Sequence, residues 1–473
     1  MISRRNLIRL GLAAALTLPK FSEVKADVAI FRGVSNSMPV GFNWPTSTYP
    51  LNFAFNGTKF VTDFNPTFYA RSALAGTQYF VNGSTGSDAN TGLSLAQAVK
   101  SIWKATQLGN ATNKPFVVYV ASIAGGYPRE NGFSNTSTTV PNTQPAAYIA
   151  TGGVVETWAG STLTWSLDTG STYTAARTNV SQIIDVTNLD ASGDYTLLSQ
   201  VADEATVITT PNSWAQVAGN IFVHRIDNAA VTNSNTRALL KGTPQFVTDA
   251  TTKDVYLGGS GFFCQGGAAG SFAMTAAATF NFIAVNCQAS FAGDNLVNVN
   301  GWKLDYATGL VACINCIGSK NEADGFNIHW TPGGTPNIFG LFIDCIGRNN
   351  GRDTVQSCNG ITWHDGVIGI VVNGEYYGNY GANVIPIDSC QMFCMGTYAH
   401  DSQGDVSHGG TTIPTDYQTQ STAKMWLLNC RSSVSTQSLV ASNTSTILTK
   451  YFRQGAGQTQ VQGAGATIGT YTS

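Results

Sequence analysis

"FVNGSTGSDANTGLSLAQAVKSIWKA", residues Phe80 to Ala105, begins like the end of a strand, passes through small turn-forming residues, and becomes amphipathic. Leu95, Ala98, Val99, Ile102 and Trp103 fall at i, i+3, i+4, i+7 and i+8, one face of a helix. Ser94 with Gln97 three residues on has the form of a capping box, which predicts a helix start there. After Ala105 the helical period is almost absent. Short runs of β-type residues alternate with Gly, Asn and Asp clusters instead. One early helix followed by many short strands suits a solenoid, whose first coil has an open hydrophobic end that must be covered.

The cysteines carry a repeat. Cys287, Cys316 and Cys345 are spaced by 29 and 29 residues, in "AVNCQASFAGDN", "CINCIGSKNEADG" and "FIDCIGRNNGRDT". Cys-x-Gly recurs at Cys316, Cys345 and Cys394, with a weaker copy at Leu428-Asn429-Cys430. A period of 20 to 50 residues marks a solenoid or a propeller. Closely spaced hairpins, which a propeller blade needs, are missing, so the β-solenoid is the better reading. Coils then stack about 4.8 Å apart, and the cysteines form an interior ladder of mostly unpaired thiols. Stacking also leaves a disulfide geometrically open, although nine is an odd count. Cys313-x-x-Cys316 has no second Cys or His pair at zinc spacing. On one strand its two members would point to opposite faces.

Composition agrees with a turn-rich, all-β chain. Of 473 residues only 11% are charged, against roughly 25% in a typical soluble domain. Gly is abundant, at 50 residues, and hydrophobic residues make up 43%, enough for a large core. The net charge of −2 and the lack of a basic run leave no electrostatic footprint for nucleic acid. At the N-terminus, Arg4, Arg5 and Arg9 precede an apolar stretch from Leu10 to Leu18, too short to span a bilayer. Val24-Lys25-Ala26 is a small-x-small cleavage site. The run Ser3-Arg4-Arg5-Asn6-Leu7-Ile8-Arg9 resembles the bacterial twin-arginine export signal. The expected location is therefore periplasmic, extracellular or at the cell surface, with no membrane span.

The opening stretch also resembles the N-terminal signature of right-handed parallel β-helix proteins of the pectate-lyase-like superfamily. That signature is a strand, a "GSDxNxG" turn and a capping helix, matched here by Gly86-Ser87-Asp88, Asn90 and Gly92. "PFVVYVASIAGGYPRENG" (Pro115 to Gly132) is similar to the next strand and turn, and "NEADGFNIHW" to later repeats. The resemblance covers roughly residues 77–450, with a poorly matching middle. It implies an all-β, right-handed single-stranded parallel β-helix with an N-terminal capping helix. The superfamily includes lyases, hydrolases, epimerases, phage tailspikes and adhesins, so it leaves activity open. Trimers are common among tailspikes, and the low charge here would permit a homotrimer.

The expected organisation is a signal at 1–26 and an aromatic, Pro-rich extension at 27–76. The β-helix follows over 77–450, with irregular coils or an inserted β-region between 136 and 262, and a low-complexity tail closes the chain at 451–473. Asp324 and Asp353 lie eight residues after Cys316 and Cys345, and Asp294 and Asp401 lie seven after Cys287 and Cys394. If that register holds, the carboxylates line one edge. Close pairs would split into acid and base or bind Ca²⁺; turn capping is the bland alternative. Four of the five histidines share this window: His329, His364 beside Asp365, His400 beside Asp401, and His408 near Asp405. A His oriented by a carboxylate is the usual general base. Asp324, Asp353, His364, Asp365, Asp401 and His408 are thus candidate catalytic residues. His329, Trp330 and Trp363 are candidates for holding a sugar, and Lys320, Arg348 and Arg352 for neutralising a uronate. The expected partner is a polysaccharide, attacked in an open groove by a lyase or a glycoside hydrolase. A non-catalytic glycan-binding adhesin is the alternative. "SHGG" at Ser407 only partly echoes the polygalacturonase set, and "TWHDG" only faintly the alginate-epimerase element.

Overall fold

A computed structural model describes residues 37–134, 140–242, 244–267, 270–274, 280–293, 299–305, 308–329, 338–351 and 358–471. Residues 1–36, which include the expected export signal, and Asp294, Trp330, Arg352 and Asp353 lie outside the described residues, as does the side chain of His408.

The chain winds into a parallel β-helix. Three all-parallel stacks of 12, 9 and 9 strands run its length. Each full coil visits the first sheet, then the second, then the third. One coil, for example, comprises Leu310–Ile314, Ile317–Ser319 and Phe326–Ile328, each hydrogen-bonded in register to the coil that follows. The first-sheet strands read "FIAV", "LVACI", "FGLFI" and "IGIVV". Such runs are apolar on both faces because both faces are buried. The inner face joins the helix interior, and the outer column Ile283, Ala312, Leu341, Ile370, Phe393 and Trp426 carries a second core.

Two additions cover two of the three sides. Residues 37–76 lie along the outer face of the first sheet. Phe42 packs on Phe393 and Trp426, Trp44 on Phe339 and Phe53 on Phe393. A helix in this extension, α1 (Pro66–Leu74), is capped by Asn65, whose Oδ1 accepts from the Thr67 amide. Residues 159–241 leave the coil after the second-sheet strand Val155–Trp158 and form a mainly antiparallel β-module around Ile183, Trp214, Ile221 and Val223. The module returns against the outer face of the second sheet. Its Asp194 carboxylate receives two bonds from Arg348, at 2.5 and 3.0 Å, and its Asp190 pairs with Lys320 at 2.7 Å. These two cations therefore hold the module, and this use displaces the uronate-binding role expected of them.

The opening motif acts through its side chains, and the helix begins later than its periodicity suggests. α2 spans Ile102–Ala111, with only a single 3₁₀ turn at Leu95–Gln97 before it and no side-chain cap from Ser94. Val99 is drawn into a bridge with Val81, and the Asp88 carboxylate accepts from the Lys100 and Ser101 amides and the Ser101 hydroxyl. Asp88 thus satisfies N–H groups that otherwise have no partner at a helix start. Asn90 Nδ2 donates to the Ala98 carbonyl. A Cβ on Gly86 would lie 2.3 Å from the Val99 carbonyl oxygen, so only glycine fits there. Ile102 and Ala105 bury against the interior of the first coil, as the solenoid requires.

All nine cysteines are free and buried. Cys287, Cys316 and Cys345 stack in one slot, as the 29-residue period predicts. Cys394 does not join them. It lies on the first sheet in register with Cys313, and Thr397 and Cys430 continue the other slot. Cys313 and Cys316 both face the interior, contrary to the single-strand expectation, because the chain turns a corner at Asn315 between them. That corner takes a left-handed residue in successive coils: Asn286, Asn315, Asp344, Asn373, Gly396 and Asn429. Left-handed backbone costs most residues roughly 1–2 kcal/mol, and Asn, Asp and Gly bear it best.

The next corner holds a buried amide ladder. Asn321 Nδ2 donates to Asn350 Oδ1 and Asn350 Nδ2 to Asn379 Oδ1, each at 2.9 Å, and the chain of bonds continues through Asn383 to Asp416. Asn350 also donates to the Gly318 carbonyl and accepts from the Asn321 amide, so its side chain makes every bond it can. Asn350→Ala is expected to lower stability by about 3 kcal/mol, since several buried partners lose their bonds at once. Chemical denaturation reads this directly. The tail is not a loose end: Thr459–Gln462 and Thr467–Thr470 add a last strand to the third and first sheets. No helix among the described residues is long and apolar enough to cross a membrane.

Candidate active site

The third sheet carries neither the extension nor the module, and its strands share one pattern. Asn300-Gly-Trp-Lys-Leu-Asp305, Asp324-Gly-Phe-Asn-Ile-His329 and Asn359-Gly-Ile-Thr-Trp-His364 lie in register. The apolar side chain at the third position points inward, and Trp302, Phe326 and Ile361 join the interior. Strand alternation then turns Lys303, Asn327 and Thr362 outward, and Asp305, His329 and His364 after them. Three consecutive coils therefore stack their last outward side chains where the third sheet bends towards the first.

The stack is tight. The His329 and His364 rings lie face to face, with centroids 3.8 Å apart and 12° between planes. His329 Nδ1 is 3.2 Å from Asp365 Oδ2, and His364 Nδ1 is 3.7 Å from Asp388 Oδ2. Asp388 also accepts the Asp365 amide, which fixes that turn. Asp305 accepts the His329 backbone amide and sits 3.7 Å from Lys303 Nζ. His329 is thus oriented through Nδ1 by Asp365, which leaves its Nε2 for chemistry, while the His364–Asp388 contact is longer than a hydrogen bond. The His329 side chain is 39% exposed.

Burial and neighbours push the groups apart in acidity. Burial first, and the facing His329 second, lower the His364 pKa to about 4. Burial raises the Asp305 carboxyl to about 6, against the pull of Lys303 and His329. Near neutral pH His364 is therefore neutral, while the buried Asp305 carboxyl, on the other side of His329, holds its proton more readily than usual. Titratable groups separated in this way are how one site supplies base and acid. Stability follows from the same shift. As pH falls from about 6.5 to about 4 the unfolded chain protonates this histidine and the folded chain does not, so stability drops by about 1.4 kcal/mol per unit across that window. His364→Gln is expected to flatten this slope in denaturation curves taken from pH 7 to 4.

The other candidate residues are distributed differently. Asp324 is buried at the start of its strand, bonded to Asn327 Nδ2 and the Asn359 amide, and burial raises its pKa. It supports the strand ends. Trp363 is 0% exposed inside the helix, so its ring is not available to a sugar. Asp401 occupies the corner after the second sheet, equivalent to Lys320 and Asn349, and so shares no edge with Asp324. The expected row of carboxylates rests on counting from Cys394, which belongs to a different ladder. Asp401 instead pairs with His400 Nδ1 at 2.5 Å, and Glu375 lies 3.3 Å from Nε2. The His400 ring is sandwiched between Tyr377 and Tyr398, and Arg431 covers Tyr398. Burial lowers the His400 pKa, but Glu375 and Asp401 outweigh it and the net shift is upward. This second cluster lies on the outer face of the second sheet beyond the module, with Glu375 and Asp401 part-exposed.

Lys303, Asp305 and Asp388 were not among the sequence candidates. The signal for them is the third-sheet repeat itself, aligned strand to strand. Among the described residues no group of three or more His, Cys, Asp or Glu is placed to hold a metal ion.

No family model matches the chain, and neither does any curated protein. Solved structures with a similar trace include one titled "Glycoside hydrolase", at 7% identity and TM-score 0.41, over 82% of this chain and 96% of that one. A second is XylC in complex with xylose, at 11% identity and TM-score 0.41, over 81% of this chain and 69% of that one. A third is the GH136 lacto-N-biosidase from Eubacterium ramulus, at 11% identity and TM-score 0.31, over 83% and 68%. At this level of likeness no activity passes from them to this chain.

Proposed function

We propose that this chain is an exported, polysaccharide-active enzyme that cleaves an acidic glycan by proton abstraction at the His329–His364 stack. The observation that supports this reading is the stacked pair of imidazoles at the edge of the third sheet, where Asp365 orients a part-exposed His329. A hydrolase needs two carboxyl groups facing the sugar about 5–9.5 Å apart, whereas among the described residues Asp305 and Asp324 are buried and Asp365 bonds His329. Elimination suits the groups present. His329 Nε2 takes the proton from the carbon that bears the uronate carboxylate. The released electron pair forms the ring double bond as the bond to the glycosidic oxygen breaks. That oxygen leaves with its chain fragment and takes a proton from the imidazolium or from water. The Lys303 ammonium, 3.7 Å from Asp305 beside the stack, offsets charge on the substrate carboxylate.

The test is incubation of the mature protein with a panel of acidic and neutral polysaccharides, reading unsaturated ends and reducing ends together. Unsaturated ends from an acidic polymer support the proposal. New reducing ends without unsaturation would replace elimination with hydrolysis, and retention without product would replace the enzyme with a glycan-binding protein.

A further inference from the structure

The corner between the first and second sheets breaks its own rule in the last coil. Asn286, Asn315, Asp344, Asn373, Gly396 and Asn429 occupy the left-handed position in earlier coils, and Tyr451 occupies it in the last, at φ 56°. A bulky residue there is a real outlier. Phe291 shows how such a cost is offset: it is left-handed at the other corner and fully buried with Trp158, Ile184 and Leu239 under the module. Tyr451 has no such cover and is 72% exposed. It lies beside an open pocket of about 460 Å³, lined by Lys450, Tyr451, Phe452, Gln454, Gln460 and Tyr471. The Lys450 ammonium is 5.7 Å from the Tyr451 ring centroid. Gln460 donates to Gln454, and Gln454 in turn to the Gln458 carbonyl, so the amides form a fixed polar wall. The exposed Arg453 follows two residues after Tyr451, its guanidinium on Asn429 Oδ1.

We infer that this pocket is an auxiliary binding site for an acidic glycan, separate from the histidine stack, with a sugar ring packed on Tyr451 and its carboxylate held by Lys450. A solvent-held aromatic ring, a cation and fixed amides are the elements of polyhydroxylated-anion recognition, and strain held in place without internal compensation points to use. The site lies on a different corner from His329 and His364, three first-sheet strands further along the axis. It would tether a polymer rather than react with it. The inference rests on the polysaccharide reading for its ligand class only.

The experiment compares the full chain with Tyr451→Asn and Lys450→Ala on columns of immobilised polygalacturonate, alginate and neutral xylan, with melting temperature and product release recorded in parallel. Asn suits the left-handed corner, so Tyr451→Asn is expected to raise the melting temperature while retention on the acidic columns falls about tenfold, the scale of one lost stacking and charge contact. Lys450→Ala should weaken the acidic columns alone. Unchanged acidic retention in Tyr451→Asn, equal retention on xylan, or no retention of the wild-type chain would overturn the inference. Cleavage of soluble acidic oligomers without retention leaves the enzyme reading standing and removes this one. Tyr451-dependent retention without product does the reverse.

Discussion

His329→Ala is expected to lower the rate of unsaturated-product formation by about 10²–10⁴-fold, the range for loss of a positioned general base. The loss should fall on kcat, because the ring acts on the proton and not on the bulk of the polymer. Stability should change little. The side chain is 39% exposed, and Asp365, at 23%, can be rehydrated when its partner is removed. Asp365→Asn provides the companion measurement. It keeps the shape and removes the charge that orients Nδ1, so it should cost rate without the full loss. A rate unchanged in both variants would remove the histidine stack from the chemistry. Equal losses of activity and folded protein would make it a structural stack.

Arg348→Ala is expected to destabilise the chain by about 3–5 kcal/mol, because it strands a buried carboxylate. Asp194 is 1% exposed and receives both guanidinium bonds, and Ser319 Oγ lies 3.2 Å from it. Asp194→Ala should cost a similar amount by stranding the cation. Replacing the two together with apolar residues of similar volume is expected to recover most of the loss, and the double-mutant cycle isolates the coupling. The module should loosen first. Proteolysis would then cut within residues 159–241 before the coils. Activity per folded molecule should survive, since the pair lies on the second sheet and the stack on the third. A stability loss below about 1 kcal/mol, typical of an exposed pair, would show that the module is held by packing alone.

Architecture was legible because a solenoid writes its geometry into a period. Residues one coil apart are neighbours in space, so a 29-residue spacing of cysteines is a spatial statement. The opening motif was equally readable, since Asp88, Asn90 and Gly86 act within twenty residues of one another. The helix start was misplaced because periodicity ignores competition: Val99 gains a bridge to Val81 that a longer helix would forfeit. Histidines near aspartates were visible too, and His329, His364 and Asp365 do meet.

Their pairing was not visible. Asp365 serves His329, 36 residues away, and not the histidine beside it, because the left-handed corner at Asp365 turns the chain away from its neighbour. Counting from Cys394 puts Asp401 on the wrong edge, since the glycine of Cys394-Met395-Gly396 is the corner itself whereas that of Cys345-Ile346-Gly347 lies on the second sheet, so similar tripeptides belong to different slots. Burial was beyond reach as well. Strand alternation sends Trp363 inside and His364 outside, and the module turns Arg348 from a groove cation into an anchor. The repeat, the cap and the residue types available are written in the sequence. Which carboxylate meets which histidine, and which cations the module takes up, follow from coil-to-coil register and long-range packing, neither of which is set by neighbours along the chain.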